Sequence, residues 1–93
     1  MEDKARAYLI VRGRVQGVCF RAETQRAATV FGVSGWVRNR RDGTVEAIVE
    51  GAKKDVMSLI NWCNTGPPLS KVTKVDATWL NFNGEFVDFD IRY

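Results

Sequence analysis

The 93-residue sequence contains no histidine. That absence removes the side chain that most often serves as general base or metal ligand near neutral pH, and with it every Ser-His or Cys-His catalytic arrangement. Cysteine is nearly absent too. Cys19 and Cys63 are too few for a disulfide framework and lack the paired spacing of a zinc site. Whether they pair with each other stays open, because sequence alone does not supply a Cα separation, although a reducing compartment disfavours a lasting bridge. No apolar run reaches membrane-spanning length, and Met1-Glu2-Asp3-Lys4 leads into a short amphipathic stretch rather than a secretion signal. The cytoplasm is the expected compartment, with no membrane partner. Acids are scarce in one long segment: seven arginines (12, 14, 21, 26, 38, 40 and 41) lie between Arg12 and Arg41 against the single acid Glu23. Against a chain total of +3, this concentrates positive charge where it can steer anions, and arginine suits phosphate geometry better than lysine does. Taken singly, most of these arginines read as solvated faces of strands and helices.

What is present is a pattern of alternating and helical hydrophobicity. Residues 5–12 put Ala7, Leu9 and Val11 on one face and Tyr8, Ile10 and Arg12 on the other, which predicts a first strand. Phe20, Thr24, Ala27, Ala28 and Phe31 recur at helical intervals before Gly32, predicting a first helix. Runs 34–40 and 44–50 flank Asp42-Gly43 and predict a hairpin, with Val45, Ala47 and Val49 facing a core while Glu46, Ile48 and Glu50 mostly face water. Val56, Leu59, Ile60 and Cys63 predict a second helix that cannot continue through Gly66-Pro67-Pro68. Val75, Ala77 and Trp79 alternate in a fourth strand, and Val87, Phe89, Ile91 and Tyr93 alternate in a short terminal one. The order predicts a single domain over residues 1–93 with a ferredoxin-like βαββαβ fold: an α+β sandwich of one antiparallel sheet and two helices on one face. In that topology strands one and three are central and strand two is an edge.

Between the first strand and first helix lies Gly13-Arg14-Val15-Gln16-Gly17-Val18-Cys19-Phe20-Arg21. Glycines let successive N–H groups converge into an anion-binding concavity, and the positive end of a helix adds to it. By itself such a loop is a weak signal, because many strand-to-helix turns carry glycine for shape alone, and the Gly-Lys-Ser/Thr of a P-loop is missing. Arg21 strengthens it: a cation in the first helical turn opposes the macrodipole unless an anion sits between them. Asn39 is a poor strand former placed at the end of strand two, on the same rim as the loop. Its carboxamide could hold a water, or it could simply open the turn.

The set Gly13-x-Val15-Gln16-Gly17-Val18-x-Phe20-Arg21, with Thr24, Gly32, Gly35-Trp36-Val37-x-Asn39 and Asp42-Gly43-x-Val45-Glu46, resembles the acylphosphatase family across nearly the whole domain. The resemblance implies a small, monomeric hydrolase of acyl phosphates that uses no metal or other cofactor. It implies that Arg21 binds the substrate phosphate together with backbone amides of Arg14, Val15, Gln16, Gly17, Val18, Cys19 and Phe20, and that Asn39 positions the attacking water. Cys19 is not expected to act, since a thiolate phosphatase needs Cys-x5-Arg and here one residue separates Cys19 from Arg21. The alternatives are a nucleic-acid-binding module and a module that binds an acyl or carbamoyl phosphate without hydrolysing it. Nucleic acid is not expected as a partner, because strand three lacks the aromatic stacking signature and carries acids on its outward face.

Overall fold

The structure, a computed structural model, describes residues 3–93; Met1 and Glu2, the start of the stretch expected not to be a secretion signal, lie outside the described residues. The elements are β1 (Lys4–Arg14), α1 (Phe20–Phe31), β2 (Ser34–Asn39), β3 (Val45–Ala52), α2 (Lys53–Thr65), β4 (Lys71–Leu80) and β5 (Phe89–Arg92). They form one five-stranded sheet in the order β4-β1-β3-β2-β5 with both helices packed against it. The predicted βαββαβ sandwich is therefore present. Its core is the alternation seen in the sequence: Ala7, Leu9 and Val11 of β1, Val45, Ala47 and Val49 of β3 and Val37 of β2 meet Phe20, Ala28, Val56, Leu59 and Cys63 from the helices. Each large apolar side chain so buried contributes about 1.5–3 kcal/mol by leaving water.

The sheet is mixed rather than antiparallel, and β2 is not an edge. β5 runs along the outer side of β2 in parallel, pairing Gly35 with Phe89 and Arg38 with Arg92. The reason is the direction of travel. β4 is antiparallel to β1, and β2 is parallel to β1 through their shared antiparallel neighbour β3. A chain that reverses once after β4 must therefore arrive parallel to β2. Strand alternation in residues 87–93 predicts a strand but carries no information about which neighbour it joins.

The face of the sheet opposite the helices also departs from expectation. Glu46 and Glu50 were expected to face water, yet they are only 4% and 1% exposed, and Ile48 is buried as well. Longer neighbours cover and neutralise them. Tyr8 and Arg38 both donate to Glu46. Burial acts to raise the Glu46 carboxyl, but those two hydrogen bonds and the nearby guanidinium charges outweigh it and hold the group below its ordinary value. Arg6 donates to Glu50 at 3.1 Å, and the backbone amides of Asn83 and Gly84 donate to the same oxygen at 3.1 and 3.3 Å. The segment after β4 is thus pinned across this face. Neutralised in this way, the acids of β3 no longer argue against a phosphate chain; only the missing aromatic signature does.

Candidate active site

The loop that leads into α1 is shorter than the sequence suggests. β1 continues to Arg14, which pairs with Lys71, so Gly13 and Arg14 belong to the strand and the loop is 15–19. Gly13 has φ 118°, and a Cβ there would stand 2.2 Å from the Lys71 carbonyl oxygen. Its requirement is a close approach of β4 at a bulge, not an anion-binding concavity. Gly17, with φ 74° and open space around it, is the glycine that shapes the loop. Cys19 takes a left-handed conformation at φ 63°, the sole non-glycine with positive φ among the described residues, and forms the N-cap of α1 without a side-chain cap bond. The first helical bond runs from Glu23 N–H to Cys19 O at 3.1 Å. The N–H groups of Phe20, Arg21 and Ala22 consequently have no acceptor within the helix.

The same three residues line a cleft of about 360 Å³ together with Val15, Gly17, Cys19, Asn39, Ile91 and Tyr93. Arg21 and Asn39, the two side chains singled out in the sequence, therefore share one cavity. The register explains it. Asn39 pairs with Val45, and Val45 with Val11, so the end of β2 and the exit of β1 lie at the same end of the sheet. Arg21 donates to the Arg92 carbonyl oxygen at 3.4 Å and its guanidinium stacks 4.8 Å from the Tyr93 ring. The terminal strand thus orients the cation, and Ile91 and Tyr93 complete the wall. Sequence reasoning did not place those two in the cleft.

Asn39 Oδ1 is buried and has no hydrogen-bond partner among the described residues, a state it shares with Glu50 Oε1 on the other face of the sheet. An orphaned buried acceptor costs about 1–3 kcal/mol unless a donor such as water reaches it. Of the other residues assigned to the loop, Arg14, Gln16 and Val18 do not line the cleft. Val18 is buried in the core, and the Gln16 side chain reaches to the β2–β3 turn, donating to Arg40 O at 2.8 Å and Thr44 O at 2.9 Å. Cys19 and Cys63 are free thiols, the first exposed and the second buried, and burial pushes the Cys63 thiol up to about 12.

Much of the positive charge counted in the sequence is balanced by acids. Arg12 pairs with Asp76, Arg26 with Glu23, Arg38 with Glu46 and, more loosely at 3.7 Å, Arg40 with Asp42. Arg14, Arg21 and Arg41 make no ion pair among the described residues, and of these only Arg21 is in the cleft. No group of three or more potential metal ligands (His, Cys, Asp, Glu) occurs among the described residues, nor any helix long and apolar enough to cross a membrane. The cleft thus brings an unpaired guanidinium, the first residues of a helix and a carboxamide side chain together.

The same combination of loop, helix and rim asparagine is embedded in a sequence with many relatives. The acylphosphatase family model matches residues 7–91. A protein named acylphosphatase from Pelotomaculum thermopropionicum is 48% identical over 91 residues, covering 98% of this chain and 99% of its own. Among solved structures, an acylphosphatase from Bacillus subtilis superposes with a TM-score of 0.92 at 38% identity, over 96% of this chain and 99% of that one. One from Coxiella burnetii gives a TM-score of 0.92 at 31% identity, over 97% and 94% respectively. Sequence and fold agree along almost the entire length, and the chain belongs to the acylphosphatase family.

Proposed function

We propose that Arg21 and the amides at the start of α1 bind the phosphate of an acyl phosphate, and that Asn39 orients the water that hydrolyses it to carboxylate and inorganic phosphate. The observation that carries this reading is that Arg21 and Asn39, whose Oδ1 has no hydrogen-bond partner among the described residues, line one cleft. A guanidinium grips two phosphate oxygens while N–H groups take others, and a carboxamide oxygen accepts a hydrogen from water, turning a lone pair toward phosphorus. As the water oxygen bonds to phosphorus, the bond to the acyl oxygen breaks and its electron pair leaves with the carboxylate. The water's proton passes to the phosphate product or to solvent. A carboxylate departs without being protonated, and a loose phosphoryl transition state needs positioning and charge stabilisation more than covalent help. A site without histidine is consistent with that chemistry.

The test is hydrolysis of benzoyl phosphate in excess chelator, with a nucleic-acid binding assay alongside. Wild-type turnover is expected. Arg21→Gln should abolish competitive inhibition by inorganic phosphate, whereas Asn39→Ala should keep that inhibition and lose about a hundredfold or more in kcat, both with an unchanged circular dichroism spectrum. Wild-type turnover by either variant removes that residue from the mechanism. An inactive wild type that binds RNA tightly reverses the reading.

A further inference from the structure

We infer that Gln16 is a positioning residue: its side-chain amide is a strut between the phosphate loop and the turn after Asn39, setting the separation of bound phosphate and attacking water. This rests on the roles proposed for Arg21 and Asn39.

A glutamine NH₂ carries two hydrogens, and both partners of Gln16 Nε2 are backbone carbonyls of one turn: Arg40 O at 2.8 Å and Thr44 O at 2.9 Å. That turn is tied within itself. Arg40 N–H donates to Thr44 O at 2.8 Å, Gly43 N–H to Arg40 O at 3.3 Å, and the Thr44 N–H and hydroxyl both donate to Asp42 Oδ1, at 3.0 and 2.6 Å. These bonds hold the turn together, and Asn39 directly precedes it. The other end of the strut is equally placed. Gln16 sits between Val15, which is buried in the core, and Gly17, which forms part of the cleft wall.

The state of Asn39 gives the strut its purpose. No protein group hydrogen-bonds Asn39 Oδ1 among the described residues, so the placing of that oxygen depends on the backbone that carries it and on the packing around it. Loop and turn belong to different strand connections, β1 to α1 and β2 to β3, and the Gln16 amide joins them directly. A displacement near 1 Å between nucleophile and phosphorus can cost about a hundredfold in rate. The bland alternative is that Gln16 only stabilises the loop, and the two differ in what each does to Asn39.

The experiment is a double-mutant cycle on benzoyl phosphate hydrolysis with Gln16→Met, which keeps the side-chain length and removes the donor. Gln16→Glu serves as the second variant should the first fold poorly, since a carboxylate cannot donate. The expected result is a fall in kcat of about ten- to a hundredfold, with the inhibition constant of inorganic phosphate changed by less than about threefold. In an Asn39→Ala background the same substitution should cost less than about threefold, because nothing remains for the strut to position. Wild-type kcat in the folded variant overturns the inference, as does weakened phosphate inhibition with kcat unchanged. So does an equal loss in both backgrounds. Full activity of Asn39→Ala alone would instead remove the water-orienting role on which the strut depends, whereas an inactive Asn39→Ala beside a fully active Gln16→Met refutes the strut alone.

Discussion

Replacing Glu50 with glutamine alters one atom and one charge at a site far from the proposed chemistry. Glu50 lies five residues along β3 from Val45, the partner of Asn39, which is about 17 Å at a strand's rise. Its Oε2 accepts from Arg6, Asn83 N–H and Gly84 N–H, and the side chain is almost wholly buried. A glutamine carbonyl oxygen can accept the same three bonds, but a bond to a charged acceptor is stronger than a neutral one by about 1 kcal/mol, so the gross loss is about 3 kcal/mol. Two effects reduce it, since the variant no longer buries a carboxylate and Arg6 keeps Glu85 at 2.6 Å, while the new NH₂ replaces Oε1, itself buried without a partner among the described residues, so one orphan stands for another. A net loss of about 2 kcal/mol remains, which for a domain of this size lowers Tm by about 8–16 °C. The pH dependence has a definite sign. Burial tends to raise the Glu50 carboxyl, but the Asn83 amide, Arg6 and the Gly84 amide together bring it below its ordinary value of 4.5. Its contribution is therefore fully present above pH 4.5 and fades as pH falls through the lower folded value. Thermal melts of wild type and Glu50→Gln should differ by a constant amount from pH 5 to 8 and converge below pH 4.5, with kcat at 25 °C unchanged. Equal Tm values at neutral pH would refute the reasoning, as would a gap that widens in acid.

Two further outcomes follow from the backbone around the cleft. Cys19→Ala should retain kcat within about twofold, since no step uses the thiol, and Cys19→Gly should fold at least as well because it relieves a left-handed cysteine worth about 1 kcal/mol; loss of activity in Cys19→Ala would bring the thiol into the mechanism. Gly35→Ala should lose about 3 kcal/mol or more in urea unfolding, because its Cβ would lie 1.9 Å from the Ile48 carbonyl oxygen at a φ of 142°, and a variant of wild-type stability would show that β2 and β3 can separate freely there.

The helices were legible because their signals are local. Phe20 to Phe31 has both a spacing and a stop, and the helix ends where Gly32 and Val33 donate back to the last turn. Arg21 and Asn39 were legible as a pair because the topology brings the exits of β1 and β2 to one rim whatever the details. Three things were not. The terminal strand's alternation is the same for any neighbour, so neither its parallel pairing nor the placing of Ile91 and Tyr93 could be read. Glu46 and Glu50 looked solvent-facing because one-residue alternation says which side a residue takes, but not whether Tyr8, Arg6 and Arg38 lie over it. Gln16 was counted for its backbone, and nothing in its neighbours announces a side-chain partner 24 residues away.

The bracing of Arg21 by the last strand bears on how the protein becomes competent. The two groups are separated by 71 positions along the chain, and the Arg6 contact with Asn83 spans 77. Helix α1 can form from neighbouring residues in about a microsecond, whereas closing such distant pairs belongs to the slow, non-local part of folding. A domain of this size is expected to fold in one cooperative step, so during refolding the far-ultraviolet signal and catalytic activity should return together, both waiting on those distant contacts.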